Sequence, residues 1–176
     1  ITGAFGQLGL ACSSALQTKF RLIKTGLNAN SVTNKLDISS KKSVESFLGQ
    51  HTPDIILNLA AMTDVDGCER DPGGANRINF EGVVNLCEGF KGHFIQLSTD
   101  YVFNGLKGPY LEEHPTDAIC VYGQSKLDAE KFLINSKINH TIIRANVLYS
   151  YSPDTKASFL KWVVESLKDS KWINIK

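Results

Sequence analysis

Short apolar segments alternate with helical segments along nearly the whole chain of 176 residues, and this alternation restricts the possible fold more than any other feature. Apolar side chains three and four residues apart mark the helices, and short apolar runs bounded by turn residues mark the strands. This order favours an α/β fold, a Rossmann-like doubly wound parallel sheet that residues 1–176 form as one domain. The predicted strands are 20–25, 54–59, 93–98, 141–145 and 172–175, and the predicted helices lie around 8–16, 44–48, 83–90, from 121 onward and 159–167.

Charge and cysteine content exclude several classes of partner. The 19 Lys and Arg residues against 18 Asp and Glu residues give a net charge of +1, so no overall field attracts nucleic acid or an anionic membrane. Apolar stretches such as 54–62 are shorter than the roughly 20 residues of a membrane span. The four cysteines lack C-x-x-C spacing and indicate reduced thiols in a cytoplasmic protein. They are Cys12, Cys68, Cys87 and Cys120.

A glycine-rich turn precedes the first predicted helix. Gly3, Gly6 and Gly9 form the pattern G-x-x-G-x-x-G, and such a turn lets the backbone of a helix N-terminus approach a pyrophosphate closely. The alternative is that the glycines only permit a tight turn. Because the turn opens a helix within an alternating pattern, we expect a dinucleotide cofactor here. The residues predicted to bind its pyrophosphate are Gly3, Phe5, Gly6, Gln7, Leu8 and Gly9.

The charges near this turn favour NADP over NAD. An acidic residue about 20 positions beyond the turn normally binds the ribose 2′-hydroxyl of NAD, whereas residues 26–31 contain none and the first acidic residue is Asp37. The same region carries four uncompensated basic residues, Lys19, Arg21, Lys24 and Lys35. The alternative is that these four form an ordinary solvated face, and NAD then remains possible.

A tyrosine and a lysine stand four positions apart on the helix predicted from 121. Tyr122 and Lys126 therefore share one helix face, and a nearby ammonium can lower the pKa of a phenol so that it donates a proton at neutral pH. Ser98, Thr99 and Asp100 end a predicted strand at the edge where doubly wound sheets bind ligands. A surface pair is the alternative, but together with the glycine turn these residues indicate an active site.

With these motifs the chain resembles the extended short-chain dehydrogenase/reductases, and within them the dTDP-4-dehydrorhamnose reductase branch. The resemblance covers nearly the whole chain. The motifs that carry it are Gly3 to Gly9, Asp37-Ile38, Asn58-Leu-Ala-Ala61, Thr63-Asp-Val-Asp66, Ser98-Thr-Asp-Tyr-Val-Phe103 and Tyr122-Gly-Gln-Ser-Lys126.

The resemblance implies a role for each matching position. Thr99 would orient the substrate carbonyl, Tyr122 would act as general acid, and Lys126 would lower the pKa of the tyrosine and hold the nicotinamide ribose. Asp37 and Ile38 would meet the adenine, the first with its carboxylate and the second with an aliphatic face. The remaining implied positions are Ala60, Ala61 and Thr63 at the cofactor, and Thr63, Val65, Tyr101 and Phe103 in the sugar pocket.

The implied activity is NADP-dependent reduction of a nucleotide-linked 4-keto-6-deoxy sugar. One alternative is a non-catalytic NADP-binding protein resembling the regulatory subunit of methionine adenosyltransferase. Another is a nucleotide-sugar epimerase or dehydratase, although Tyr101 stands where a dehydratase would carry a glutamate. Family members are longer, so we expect a fragment whose C-terminal substrate lobe is largely missing. The oligomeric state stays open.

Three positions depart from the family pattern. Val147 replaces a tryptophan usual in the rhamnose branch, which leaves the sugar open, and Cys120 replaces an asparagine two residues before the tyrosine. Ala11 stands where some relatives carry a glutamate that holds magnesium. We therefore predict no metal site.

Overall fold

The computed structural model describes residues 1–27, 34–149 and 159–169. In these ranges helices separate the strands, as the sequence pattern predicts, except between the strands Thr25–Gly26 and Asn34–Lys35, between which no helix is described. A π-helical turn, Arg77–Glu81, joins α4 to α5, and a 3₁₀ turn, Asp100–Val102, follows β4. The elements are α1 (Gln7–Leu16), β1 (Thr25–Gly26), β2 (Asn34–Lys35), α2 (Lys41–Gln50), β3 (Ile55–Asn58), α3 (Val65–Arg70), α4 (Pro72–Asn76), α5 (Gly82–Cys87), β4 (His93–Thr99), α6 (Val121–Asn135), β5 (His140–Ala145) and α7 (Phe159–Lys168).

All strand pairs are parallel, and the first residues of the chain join two sets of strands. β3, β4 and β5 lie side by side, as do β1 and β2. Between the sets, the Thr2 amide donates to the Leu57 carbonyl at 3.0 Å and the Thr25 amide donates to the Ile1 carbonyl at 2.9 Å. The order is therefore β2, β1, residues 1–4, β3, β4, β5, and its switch point lies between residues 1–4 and β3. Doubly wound sheets bind ligands at this point.

Most predicted elements are confirmed, and two differ. β3 lies within the predicted strand 54–59, and β4 and β5 match the predicted strands 93–98 and 141–145 to within one residue, whereas regular pairing in the predicted strand 20–25 is restricted to its end, at β1. Phe20 at its other end is half exposed, so burial does not hold that end against the sheet. The predicted helix 83–90 ends at Cys87. The predicted strand 172–175 lies outside the described residues.

The core packs α2, α5 and α6 against the sheet. Phe94 of β4 is completely buried, and its ring meets Phe90 edge to face at 6.4 Å. This packing holds the carboxyl ends of the central strands in a fixed relation to α6, and those ends carry the predicted site. The buried members of the core are Leu36, Ile38, Val44, Ile56, Val83, Leu86, Cys87, Phe94, Ala129 and Leu133.

The described part of the chain contains neither a membrane-spanning helix nor a cluster of metal-binding side chains. None of the helices there is both long and apolar enough to cross a membrane. In the same ranges, no three His, Cys, Asp or Glu side chains come together in a way that could hold a metal ion. All four cysteines are free thiols.

Candidate active site

The glycine-rich turn is tightly packed except at its middle glycine. Gly3 has a φ of +60°, and a Cβ there would lie 2.8 Å from the Ala60 amide nitrogen. A Cβ at Gly9 would collide with the Gly3 carbonyl oxygen, whereas one at Gly6 would only reach that oxygen at 3.4 Å. The protein itself therefore requires glycine at two positions. At Gly6 the open space lies on the approach to the helix N-terminus.

Helix α1 begins at Gln7 and presents an uncapped N-terminus. Gly6 is its N-cap and supplies no side-chain acceptor, and the first turn has no acidic residue. The positive end of the helix dipole and its free amides favour an anion at such a position. The Gln7 side chain donates to the Leu148 carbonyl at 3.1 Å, which connects the turn to the segment after β5.

The segment after β3 is held from both sides by buried polar side chains. The Thr2 hydroxyl accepts hydrogen bonds from the amides of Leu59 at 3.2 Å and Ala60 at 3.3 Å. The Asn79 side chain bonds both the amide and the carbonyl of Met62, at 2.8 and 3.0 Å, and donates to the Ser125 hydroxyl at 3.0 Å. Ala60 is thereby fixed beside Gly3, where the sequence predicts the cofactor.

Asn79 is a site residue that the sequence analysis missed. It is 1% exposed and links the segment after β3 to Ser125 on α6. The sequence does contain an indication of this role, because Asn79 stands between the apolar residues Ile78 and Phe80. An amide buried among apolar side chains must be hydrogen-bonded. Its partners, however, are far away in the chain and cannot be predicted from spacing.

At the predicted adenine end, Asp37 and Ile38 lie in different surroundings. One oxygen of the Asp37 carboxylate accepts from the Ser39 amide at 3.0 Å and from the Ser39 hydroxyl at 2.7 Å. Ile38 is 4% exposed and its side chain packs into the core against Gly82, and its contact with the adenine stays a prediction. Residues 28–33, which bear on the choice between NADP and NAD, lie outside the described residues.

Thr99, Tyr101 and Tyr122 come together at the carboxyl end of β4. The Tyr101 amide donates to the Thr99 hydroxyl at 3.2 Å, and the rings of Tyr101 and Tyr122 meet edge to face at 5.8 Å. The Thr99 hydroxyl donates to the Asp100 carboxylate at 3.2 Å and lies close enough to the Tyr122 phenol to lower the pKa of that phenol. A predicted orienting hydroxyl and a predicted proton donor are therefore neighbours, and the 44% exposed Tyr101 ring lies beside them.

The pKa of Tyr122 differs from the sequence expectation. Burial raises the pKa of the phenol, the nearby Thr99 hydroxyl lowers it, and the Asp100 carboxylate raises it further. We expected Lys126 to lower the pKa, but its ammonium donates to the Leu97 carbonyl at 2.6 Å. The phenol is therefore protonated at neutral pH in this state, as a proton donor must be.

Lys126 is a buried ammonium. It is 3% exposed, and burial lowers its pKa to about 8, opposed by the nearby Glu130 carboxylate. Glu130 itself pairs with Arg144 of β5 at 2.7 Å. Tyr122, Lys126 and Glu130 stand at i, i+4 and i+8, which aligns them along one face of α6.

The other predicted sugar-pocket residues lie on two neighbouring segments. Thr63 and Val65 stand at the beginning of α3. The Phe103 ring stacks on Tyr110 at 4.4 Å, and the Arg144 guanidinium lies over the same ring at 5.1 Å. Phe103 is thus already in contact with two side chains of the protein, whereas Tyr101 offers a freer ring.

Cys120 has a clear local function. It is the N-cap of α6, and its sulfur accepts a hydrogen bond from the Gly123 amide at 3.3 Å. The departure at this position therefore preserves a helix cap next to Tyr122.

Comparisons with known proteins agree with the family resemblance that the motifs indicate. A family model described as the RmlD substrate binding domain matches residues 1–176. A protein called dTDP-4-dehydrorhamnose reductase from Sinorhizobium fredii is 38% identical over 154 residues, which is 85% of this chain and 50% of the relative. The chain spans about half the length of these curated relatives.

Solved structures give the same result. The crystal structure of a hypothetical dTDP-4-dehydrorhamnose reductase from Sulfolobus tokodaii is 34% identical with a TM-score of 0.82, covering 98% of this chain and 62% of that one. The dTDP-4-dehydrorhamnose reductase of Bacillus anthracis, solved in complex with NADP, is 30% identical with a TM-score of 0.75, covering 96% of this chain and 58% of that one. These similarities confirm the resemblance inferred from the sequence.

Proposed function

This chain belongs to the RmlD substrate binding domain family, and we propose that it reduces a nucleotide-linked 4-keto-6-deoxy sugar with NADPH. The observation that carries the proposal is the proximity of Thr99 and Tyr122 at the carboxyl end of β4, where Tyr101 bonds Thr99 through its amide and meets the Tyr122 ring. Lys126 follows one turn along the same helix. A carbonyl reduction needs a hydroxyl that orients the carbonyl and a proton donor beside it, and these two side chains meet that requirement.

The residues present fit a dinucleotide cofactor. The uncapped N-terminus of α1 and the space at Gly6 suit a pyrophosphate. At the end of β4, the Ser98 hydroxyl is buried without a hydrogen-bond partner in the described structure, and a buried hydroxyl of this kind calls for a partner such as a bound ligand. Ala60 would border the cofactor, and Lys126 would hold the nicotinamide ribose. When bound, NADPH supplies the hydride.

The chain's own residues then complete the reduction. Thr99 orients the sugar carbonyl by donating to its oxygen while the carbonyl carbon accepts the hydride. The Tyr122 phenol gives its proton to the same oxygen, so the C=O bond becomes a CH–OH group and Tyr122 becomes a phenolate. Solvent returns a proton to that phenolate. Because the pKa of Tyr122 is raised, the phenol stays protonated until it donates its proton to the substrate oxygen.

The proposal includes NADPH rather than NADH and a cytoplasmic location. The absence of Asp and Glu before Asp37 supports the former, since NAD-specific sites carry an acidic residue in this region. A relative of known structure binds NADP. The four free thiols support the latter, because reduced cysteines are typical of the cytoplasm.

The test is a coupled measurement of binding and turnover on the protein expressed from its complete gene. We expect NADPH to bind more tightly than NADH in a fluorescence titration, and a dTDP-4-keto-6-deoxy sugar to cause oxidation of NADPH at 340 nm. Binding without oxidation by any nucleotide-linked keto sugar would contradict the reductase and favour the regulatory alternative. Failure to bind either cofactor would contradict both.

A further inference from the structure

A chain of buried polar side chains crosses three neighbouring strands of the sheet. The Thr2 hydroxyl donates to the Asn58 carbonyl oxygen at 2.5 Å, and the Asn58 amide donates to the Gln96 carbonyl oxygen at 2.8 Å. Asn58 and Gln96 are each 1% exposed, and Thr2 is 4% exposed. Each of these groups is satisfied by the next, which is what buried amides require.

This chain of hydrogen bonds ends at the backbone group that holds Lys126. The Gln96 amide donates to the Leu97 carbonyl at 2.8 Å, and the Lys126 ammonium donates to the same oxygen at 2.6 Å. A carbonyl oxygen has two lone pairs, so the amide and the ammonium share one acceptor. Two donors on one oxygen weaken each other, because each draws on the same electron density.

Gln96 is not needed for packing in the way its neighbours are. Phe94, Gln96 and Ser98 are buried and alternate along β4, which puts them on one face of the sheet. An apolar side chain at position 96 could be buried equally well, and its burial would not carry the cost of desolvating an amide. The amide therefore has another role, and its contacts indicate which one.

We propose that Gln96 and Asn58 are positioning residues that fix the Leu97 carbonyl beneath Lys126 and connect it to Thr2 at the phosphate-binding turn. Gln96 occupies one lone pair of the Leu97 carbonyl and thereby weakens the hydrogen bond between that carbonyl and the Lys126 ammonium. The ammonium can then move to the ribose of an incoming cofactor. The part of this inference that concerns the cofactor rests on the proposed function. The part that concerns the ammonium does not.

The charged and titratable groups around Lys126 are defined. Glu130 acts on it from its own helix and is neutralised by Arg144 of β5, and Tyr122 lies one turn earlier. None of these groups contacts Gln96 in the described structure. A change at Gln96 therefore reaches Lys126 through the Leu97 carbonyl.

The test uses Gln96→Met in the protein expressed from its complete gene. Two probes are titrated, NADPH and 2′,5′-ADP, and the latter lacks the nicotinamide ribose. We expect NADPH to bind about 3- to 10-fold more weakly, the effect of one misplaced hydrogen bond, and 2′,5′-ADP to bind as in the wild type. Gln124→Met makes the same change on the exposed face of α6 and should alter neither affinity.

A second readout does not depend on cofactor binding. Carbon-13 NMR of labelled lysine follows the titration of Lys126, and we expect its pKa to rise above about 8 in Gln96→Met, because the ammonium then has the Leu97 carbonyl to itself. Gln96→Asn, whose shorter amide cannot reach both partners, should behave in the same way and serves if the methionine variant does not fold.

The outcomes separate the two proposals. An unchanged Lys126 titration in both Gln96 variants would overturn the positioning role whatever the cofactor does. Equal weakening of NADPH and 2′,5′-ADP would also overturn it, because that is the signature of general damage to the fold. A changed titration in a protein that binds no NADPH would leave the positioning of Lys126 intact and contradict the proposed function.

Discussion

Lys126 makes the stability of the unliganded protein depend on pH. Its pKa of about 8 in the folded state lies below the value of 10.5 for an exposed lysine. Between these values the folded protein has lost a proton that the unfolded chain still holds, so stability rises with pH in this window. Below pH 8 Lys126 is charged in the folded protein, and the burial of this charge lowers the free energy of unfolding.

Lys126→Met should therefore remove this rise. In urea denaturation without cofactor, we expect the wild type to gain about 1 kcal/mol relative to the variant between pH 7 and pH 9. The variant should be the more stable of the two at pH 7, although it loses the group that would hold the cofactor. Parallel curves for the two proteins would show that Lys126 is not buried as a charge.

The glycines of the turn predict a contrast between two small substitutions. A Cβ at Gly9 would lie 2.6 Å from the Ala4 carbonyl carbon, so Gly9→Ala should cost about 1–3 kcal/mol of stability by overpacking. Gly6→Ala meets nothing closer than 3.4 Å and should leave stability unchanged while weakening NADPH binding, because it blocks the close approach of the pyrophosphate.

The control for this contrast is Gly49→Ala in α2. A Cβ there meets nothing within 4 Å, so the variant should be stabilised by about 0.5–1 kcal/mol through helix propensity. Thermal unfolding and NADPH titration measure all three variants. A Gly6→Ala protein that binds NADPH like the wild type would move the pyrophosphate away from this turn.

Individual site residues could be predicted where a motif determines them. Thr99 and Tyr122 meet as expected, and Gly3 and Gly9 are sterically required. The burial of Ile38 against Gly82 could not be predicted, because an isoleucine next to an aspartate fits a ligand surface or a core equally well. The amide contacts of Asn79 with Met62 and Ser125 depend on tertiary packing that no local pattern records.

At the scale of elements, one ion pair joins α6 to β5. The Glu130 side chain is 1% exposed and the Arg144 side chain 18% exposed, and both oxygens of the carboxylate accept from the guanidinium. Arg144 also donates to the Glu112 carbonyl at 2.8 Å and lies over Phe103. The pair thus holds the loop after β4 against the helix that carries Tyr122.

Glu130→Gln should destabilise the protein by about 3 kcal/mol, the low end for a broken buried pair, because Arg144 keeps some contact with water. Lys41→Met breaks an exposed pair with Glu88 and should leave stability nearly unchanged. Chemical denaturation compares the two. Equal small effects would mean that the Glu130 pair is solvated and does not fix the loop.

Helices and central strands could be predicted because their apolar periodicity is strong. β3, β4 and β5 match the predicted ranges to within one residue at each end, and α6 begins at the predicted residue. The run of α4, the π turn and α5 was predicted only in its last part, because Gly73, Gly74 and Gly82 break the apolar pattern. β1 is shorter than predicted, since regular pairing is restricted to Thr25–Gly26 and Phe20 at the other end of the predicted strand is half exposed.

At the scale of the whole molecule, the sheet order explains why distant residues form one site. Residues 1–4 lie between β1 and β3, so the glycine-rich turn, the segment after β3 and the end of β4 all open on the same edge. Alternation in the sequence predicts such a parallel sheet. It does not give the neighbours of each strand, and the hydrogen bonds from Ile1 to Ala4 supply that information.

The central claim is that Tyr122 is the proton donor at this edge, and the turnover number of Tyr122→Phe at saturating NADPH tests it most directly. We predict a fall in kcat of about 10²- to 10⁴-fold, the contribution of general acid catalysis, with nearly unchanged NADPH affinity. Tyr110→Phe, whose hydroxyl bonds Asn104 instead, should keep most of its activity. A Tyr122→Phe protein that reduced the keto sugar at a rate close to that of the wild type would contradict the account.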